Sequence, residues 1–439
     1  MRYLIISLIA AYATAGPASA KDDSQPPVKV EIARTDSGYQ LMRGGEPYTI
    51  KGAGMSIDHI DDFARHGGNS IRNWTTDNEP ENVQALLDKA QANGVTVMLC
   101  LPMQAERWGF DYDDADAVAA QRDRFREEVI RYRHHPALLA WIIGNELNHE
   151  YTNPRVYDAV NDIARMIREL DPNHPATTTV AGYSKEVVDT ILSRAPDLDF
   201  ISFQAYGMLF ALPQLMEESG FRHPFMVTEW GAIGHWEVET TDWGAPIEAT
   251  SSQKAAVFLR ANEDVLEKFG EQLVGSYAFY WGQKQERTPT WFGLLTETGE
   301  ETESVDVMHY VWNGSWPDNR SPQVRSMRLD GRKPGTSVRL RPGERVEAQI
   351  DVVDPDGDVI SYRWELKPES DSTQIGGDRE DAIASLDGFI EHTESPKTLV
   401  TAPDPGAYRL FVYAYDGQGH AAHANFPFLV SAGNMSERR

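Results

Sequence analysis

The sequence predicts an α/β chain, a (β/α)8 TIM barrel followed by a small all-β sandwich. Three observations carry this expectation. Between Tyr48 and Gly314, eight short β-rich runs alternate with helical patterns, which is how βα units and a parallel sheet read. No glycine-rich phosphate loop follows the first run, so the open doubly wound sheet is set aside. Beyond Gly314 the chain alternates apolar and polar residues at period two, the mark of half-buried strands.

Taken in order, residues 1–20 read as a signal peptide, with Arg2 as a short basic start, an apolar stretch from Tyr3, and "ASA" before Lys21 as a cleavage site. A secreted or periplasmic location is therefore expected. Residues 21–48 carry strands joined by turns at "DSG" and "RGG", expected to pack on the bottom of the barrel. The barrel proper, 49–315, holds the runs "TIKGAG", "NSIRNW", "VTVMLCL", "LLAWIIG", "ATTTV", "DFISFQAYG", "PFMVTE" and "GSYAFYWG". Between them lie helices with clear punctuation. One runs from Pro80 through Val83, Leu86, Leu87 and Ala90 to a left-handed stop at Gly94. Another begins at Asn153 and Pro154 and repeats apolar residues from Val156 to Leu170 at steps of three and four. "SVDVMHYVW" from Ser304 is the last helix, "SWPDNRSPQ" a linker, and 322–432 the sandwich.

The formal charge of −26 disfavours nucleic acid and anionic membrane surfaces, because phosphates are repelled. After the leader no apolar run reaches the ~20 residues that cross a bilayer. The single cysteine, Cys100, permits no internal disulfide and reads as a small core residue.

In a barrel of this kind the chemistry sits where the strands end. The second run ends in Arg72, Asn73 and Trp74; the fourth in Asn145 and Glu146; the sixth in Gln204 and Tyr206; the seventh in Glu229 and Trp230; the eighth in Tyr280 and Trp281. Each residue alone has a plain structural explanation. Two glutamates that both follow apolar strands do not, because a buried unpaired charge is costly. A pair of carboxylates across a cleft suits cleavage of a glycosidic bond, one donating a proton and the other attacking the anomeric carbon. Arg72 and Tyr206 are expected to hold Glu229 ionised, while Glu146, with no assigned cation, has its acidity weakened by desolvation.

The set "IRNW", "GNE", "QAYG", "TEWG" and "FYWG" resembles clan A glycoside hydrolases, and "RHHPALLAWIIGNE" looks most like the barrel of family 2. The resemblance implies Glu146 as acid/base, Asn145 on the sugar 2-hydroxyl and Glu229 as nucleophile steadied by Arg72 and Tyr206. It also implies Trp281 as the floor under the sugar, and a retaining mechanism. The chain departs from family 2 in lacking large N-terminal β domains and acidic or histidine residues at the end of the third run. "NSIRNWTTDNEPENVQALLDKAQANGVTVML" is also similar in layout to β-1,3-glucanosyltransferases. Together the two likenesses imply a β-linked glycan, β-glucan foremost, and leave hydrolysis and transglycosylation both open.

Further candidate substrate contacts are Trp74, Gln204, Gln283 and the tryptophans Trp236, Trp243 and Trp291, since aromatic faces stack on sugar rings. All these candidates precede Phe292, so the sandwich is expected to be dispensable for turnover. "RHHP" reads as a helix-end motif rather than a metal site. "DPDGDVISYRWE" lacks the glycine and wrap of an EF-hand loop and reads as a turn in a module that resembles a polycystic-kidney-disease or cadherin-like sandwich. No metal or cofactor is expected. A secreted glycan-binding protein without catalysis is the rival reading.

Overall fold

The computed structural model describes residues 27–77 and 82–432; the expected leader, 1–20, lies outside them. A short antiparallel sheet comes first, β1 (Val30–Arg34), β2 (Tyr39–Arg43) and β3 (Glu46–Pro47). Eight parallel strands then close into a barrel: β4 (Gly52–Gly54), β5 (Ser70–Arg72), β6 (Thr96–Leu101), β7 (Leu138–Ile143), β8 (Ala176–Ala181), β9 (Phe200–Gln204), β10 (Phe225–Gly231) and β11 (Leu273–Phe279). The eight runs of the sequence are these eight strands. All six residues of β7 are buried, as a parallel strand covered on both faces requires.

The helices form where the punctuation placed them. In α2 (Val83–Ala92) the Asn82 side chain accepts the Ala85 amide at 3.1 Å, and Gly94 follows the end with a φ of +71°. In α4 (Arg155–Leu170) Val156, Ala159, Val160, Ile163, Met166 and Ile167 are buried on one face. A capping box of Thr250 and Gln253 opens the helix Ser251–Asp264.

The N-terminal sheet closes the bottom of the barrel. Val30 and Leu41 share one apolar cluster with Met98, Cys100, Leu139, Ile142, Phe200 and Met226 from the barrel strands. The Cys100 thiol is pushed up to about 12 by burial and is a core group.

Residues 323–430 form two four-stranded sheets with their own apolar core. Strand Arg345–Val353 alternates in burial, as the sequence suggests. Strands Gly406–Tyr415 and Ala421–Val430 are buried almost throughout, because their second face lies against the barrel. In the "DPDGD" turn, Asp354 Oδ1 accepts the amides of Asp356 and Asp358, and Asp354, Asp358 and Asp416 each bring an oxygen within 4.8 Å of the others.

The seam between the two parts is polar and buried. Glu248, whose side chain is fully enclosed, accepts Lys254 Nζ at 2.5 Å, Thr288 and Thr290 hydroxyls at 2.7 and 2.8 Å, and Asn425 Nδ2 of the sandwich at 2.6 Å. Arg409 reaches across to the Pro246 carbonyl at 2.8 Å. Removing the sandwich strips partners from buried charge, which is strongly destabilising. The seam weighs against the expectation of a dispensable module.

The same seam predicts acid sensitivity. Burial, with Lys254 adding, depresses His423 to about 3; burial raises Glu248, but Lys254 and His423 outweigh it and bring it to about 2. Both folded values lie below the unfolded ones, so both groups contribute stability that is lost as pH falls. For His423 the window is pH 6.5 down to about 3, at about 1.4 kcal/mol per pH unit. Asp306, raised by burial to about 6, acts in the opposite sense. The difference between thermal melts of wild type and His423→Gln isolates the histidine: the gap narrows between pH 6.5 and 4.5. Parallel melting curves across that range would refute it.

Candidate active site

At the carboxyl end of the barrel opens a cavity of ≈ 640 Å³. Its residues are delivered by strand ends. β7 stops at Ile143, and the chain turns sharply through Gly144, φ +70°, where a Cβ would meet Leu147 at 2.6 Å. Glu146 follows in the left-handed region, φ +49°, its amide fixed on Thr179 Oγ1 at 3.0 Å. A non-glycine residue held in that conformation is a local cost that the surrounding contacts sustain, and it aims the carboxyl at the cavity. Glu229 is aimed by another device. The pairing of β10 with its neighbours slips between Val227 and Trp230, a bulge that turns the side chain inward.

Three donors converge on the two oxygens of Glu229. Arg72, fully buried at the end of β5, donates from Nη1 to Oε1 at 2.5 Å; Trp74 Nε1 donates to the same oxygen at 3.0 Å; Tyr206 hydroxyl donates to Oε2 at 2.7 Å. Such a set suits an ionised, acceptor-only carboxylate. Arg72 Nη2 donates to Asn145 Oδ1 at 2.9 Å, as does Gln204 Nε2 at 2.9 Å. Arg72, which can only donate, settles the amide's orientation and leaves the Asn145 NH2 for a ligand in the cavity it lines.

The expected electrostatic split between the glutamates is corrected. Burial is the largest influence on Glu229 and raises its carboxyl; Arg72 opposes this, and the charge of Glu146 raises it further, leaving it above the ordinary carboxylate value. Glu146 is not without a partner. His149 Nε2 lies 3.2 Å from its Oε2, and that contact holds the imidazole above its usual value against the opposing effect of burial.

Trp74, Asn145, Glu146, Gln204, Tyr206, Glu229, Trp236 and Gln283 all line the cavity, with Arg72 directly behind. Three expected contacts, Trp243, Trp281 and Trp291, do not; Trp243 lies under the Arg339 guanidinium of the sandwich. Trp281 is fully buried, stacked on Trp312 at 5.5 Å and edge-on to Phe63 at 5.2 Å. The strand ends at Phe279, so Phe279 and Tyr280 face the cavity while Trp281 turns into the core beneath the helices. Trp291 is also buried, donates to the Ile233 carbonyl at 2.9 Å, and packs behind Tyr206 and Phe292. Additional lining residues are His149, Met208, His235, Glu237, Lys284, Glu286 and, from the sandwich, Ile375, Gly376 and Gly377.

Residues 62–235, which include both glutamates, match the family described as Glycosyl hydrolases family 2, TIM barrel domain. Over that stretch the chain is similar to a family 2 glycoside hydrolase barrel. Among solved structures, a Faecalibacterium prausnitzii beta-glucuronidase matches the chain at 17% identity and a TM-score of 0.50, over 65% of this chain and 52% of that one. A beta-D-glucuronidase from Dictyoglomus thermophilum matches at 17% identity and a TM-score of 0.50, over 66% and 54%. The chain thus spans about half the length of these neighbours, and at such identities the likeness speaks for the fold. No curated protein matches the chain in sequence. Among the described residues, no helix is long and apolar enough to cross a membrane.

Proposed function

We propose that this family 2 barrel is a retaining β-glycosidase acting on a neutral β-linked glycan, with β-glucan as the substrate class to test first. The observation that carries the reading is the three-donor grip on Glu229 facing Glu146 across one cavity. In the first step Glu146 gives its proton to the leaving oxygen while Glu229 attacks the anomeric carbon, forming a covalent glycosyl-enzyme. In the second, Glu146 takes a proton from water, which displaces Glu229. Asn145 donates to a sugar hydroxyl throughout.

A neutral sugar fits the charges of the lining. Glu146, Glu229, Glu237 and Glu286 outnumber Lys284, and Lys284 is already held by Glu286 at 2.7 Å. The leader at 1–20 supports work outside the cytoplasm. The test is a panel of β-glucans, β-mannans and β-galactans with products resolved by size, alongside aryl β-glucosides and β-glucuronides. Turnover of glucuronides alone would overturn the neutral-sugar reading. Sugar binding without any turnover would make the chain a glycan-binding protein.

Transglycosylation on the same site has one observation in its favour. Trp236, on the rim of the cavity, is 57% exposed and stands edge-on to Tyr206 at 5.6 Å, free to stack an acceptor sugar. With millimolar oligosaccharide, wild type should form products longer than the substrate. Trp236→Ala should shift the balance toward hydrolysis, since a stacked ring contributes on the order of 1 kcal/mol. Time courses with only shorter products in both proteins exclude an acceptor role.

A further inference from the structure

The sandwich sends one long loop, residues 369–389, away from its own sheets and over the barrel mouth. A connection of this length without regular structure inside a compact domain is commonly functional. Its root is tied down: Arg409 pairs with Glu369 at 2.8 Å, and Lys367 Nζ donates to the Ile383 carbonyl at 2.8 Å. Its tip is held by the barrel. Arg107, after β6, grips Asp378 with two parallel hydrogen bonds of 2.7 and 2.9 Å, and both side chains are largely enclosed. Lys284, after β11, donates to the Gly377 carbonyl at 3.1 Å, and the Arg287 amide donates to Glu380 at 2.8 Å.

These anchors follow β6 and β11, and in the closed barrel β4 and β5 lie between them. The loop therefore bridges the mouth between the residues that follow β6 and those that follow β11. Its approach is close. Gly376, φ +58°, would place a Cβ 3.1 Å from His149 Cδ2 and 3.1 Å from Arg107 Nη2; Gly377, φ +73°, would place one 2.9 Å from Lys284 Nζ. Two left-handed glycines allow the backbone to lie against the very histidine that bonds Glu146.

We propose that segment 374–380 of the sandwich is a specificity-determining wall of the sugar site: latched by Arg107 and Asp378, it walls the cavity between the ends of β6 and β11 and holds His149 against Glu146. Ile375, Gly376 and Gly377 meet the sugar; Arg107 and Asp378 are positioning residues. The glycan must then extend through the remaining opening, past Met208 and Trp236. The kind of ligand rests on the glycosidase reading, while the wall itself rests on the latch and the glycine contacts.

Two variants test it on the full chain. Asp378→Asn keeps the shape and removes the charge of the latch; Gly376→Ala keeps the Asp378 carboxylate and pushes on both His149 and Arg107 Nη2. With an oligosaccharide substrate, Asp378→Asn is expected to raise KM by about fivefold or more, the effect of a lost charge-assisted contact, with a smaller change in kcat. Asp378→Glu, which retains a carboxylate, should recover part of it. Gly376→Ala should displace the limb of the pH–rate profile that reports the Glu146–His149 pair. A latch that merely ties two domains would lower the melting temperature and leave KM and the pH profile unchanged, which overturns the proposal. Should wild type turn over no glycoside, the glycosidase reading fails separately. The wall is then read by oligosaccharide titration of tryptophan fluorescence, where weaker binding by Asp378→Asn upholds it and equal binding, or none in either protein, overturns it.

Discussion

Glu229→Gln abolishes formation of the glycosyl-enzyme and leaves trace turnover on every glycoside, whatever its leaving group. The loss should be on the order of 10⁴-fold or more, since removing an enzyme nucleophile elsewhere costs about 10⁶ in kcat. The carboxamide keeps the volume but loses the charge that Arg72 pairs with, and its NH2 must turn to Tyr206, whose hydroxyl alone of the three donors can also accept. Ground-state sugar binding should survive better than turnover, because Asn145, Trp74 and Tyr280 remain on the cavity wall. Steady-state kinetics with an aryl β-glycoside and trapping with an activated fluoro-sugar check it. Full activity in the variant would remove Glu229 from the nucleophile's role.

Glu146→Gln separates substrates by leaving group. General-acid help worth about 10²–10⁴ in rate is lost for poor leaving groups, whereas aryl glycosides with good ones still glycosylate Glu229 and then stall before hydrolysis. A burst of released aryl group followed by a slow phase is the expected trace. The variant should also free His149 from the contact that holds it above its usual value, so its titration moves to lower pH. In wild type the contact with Glu146 favours the protonated imidazole of His149, and that interaction is lost as pH rises through the raised value. Equal losses on both kinds of substrate would count against the acid/base role.

Much of this was legible in the sequence, and particular residues show why. The eight barrel strands read correctly because parallel strands covered on both faces must be apolar runs, and β7 is buried at every residue. Both glutamates could be found because a carboxylate directly after such a run needs a reason. Arg72 and Tyr206 could be assigned to Glu229 because barrel topology sends the ends of β5, β9 and β10 to one mouth. His149 left a fainter signal, three residues after Glu146, which becomes a contact only once the left-handed turn folds the chain back so that the His149 amide meets the Glu146 carbonyl at 3.0 Å.

What the tertiary structure alone decided is the direction of side chains after a strand has ended and the company of segments far apart in the chain. Period-two reasoning stops at Phe279, and beyond it nothing local says that Tyr280 faces the cavity while Trp281 enters the core. The sandwich strands Gly406–Tyr415 and Ala421–Val430 are buried on both faces because the barrel covers one of them, Arg409, His423 and Asn425 included, a burial that alternation cannot announce. Segment 374–380 is polar and glycine-rich, with the composition of any surface loop. Its place over Glu146 depends on where two separately folded cores meet, and that is settled by shape and by buried partners such as Glu248 and Asn425, more than a hundred residues apart.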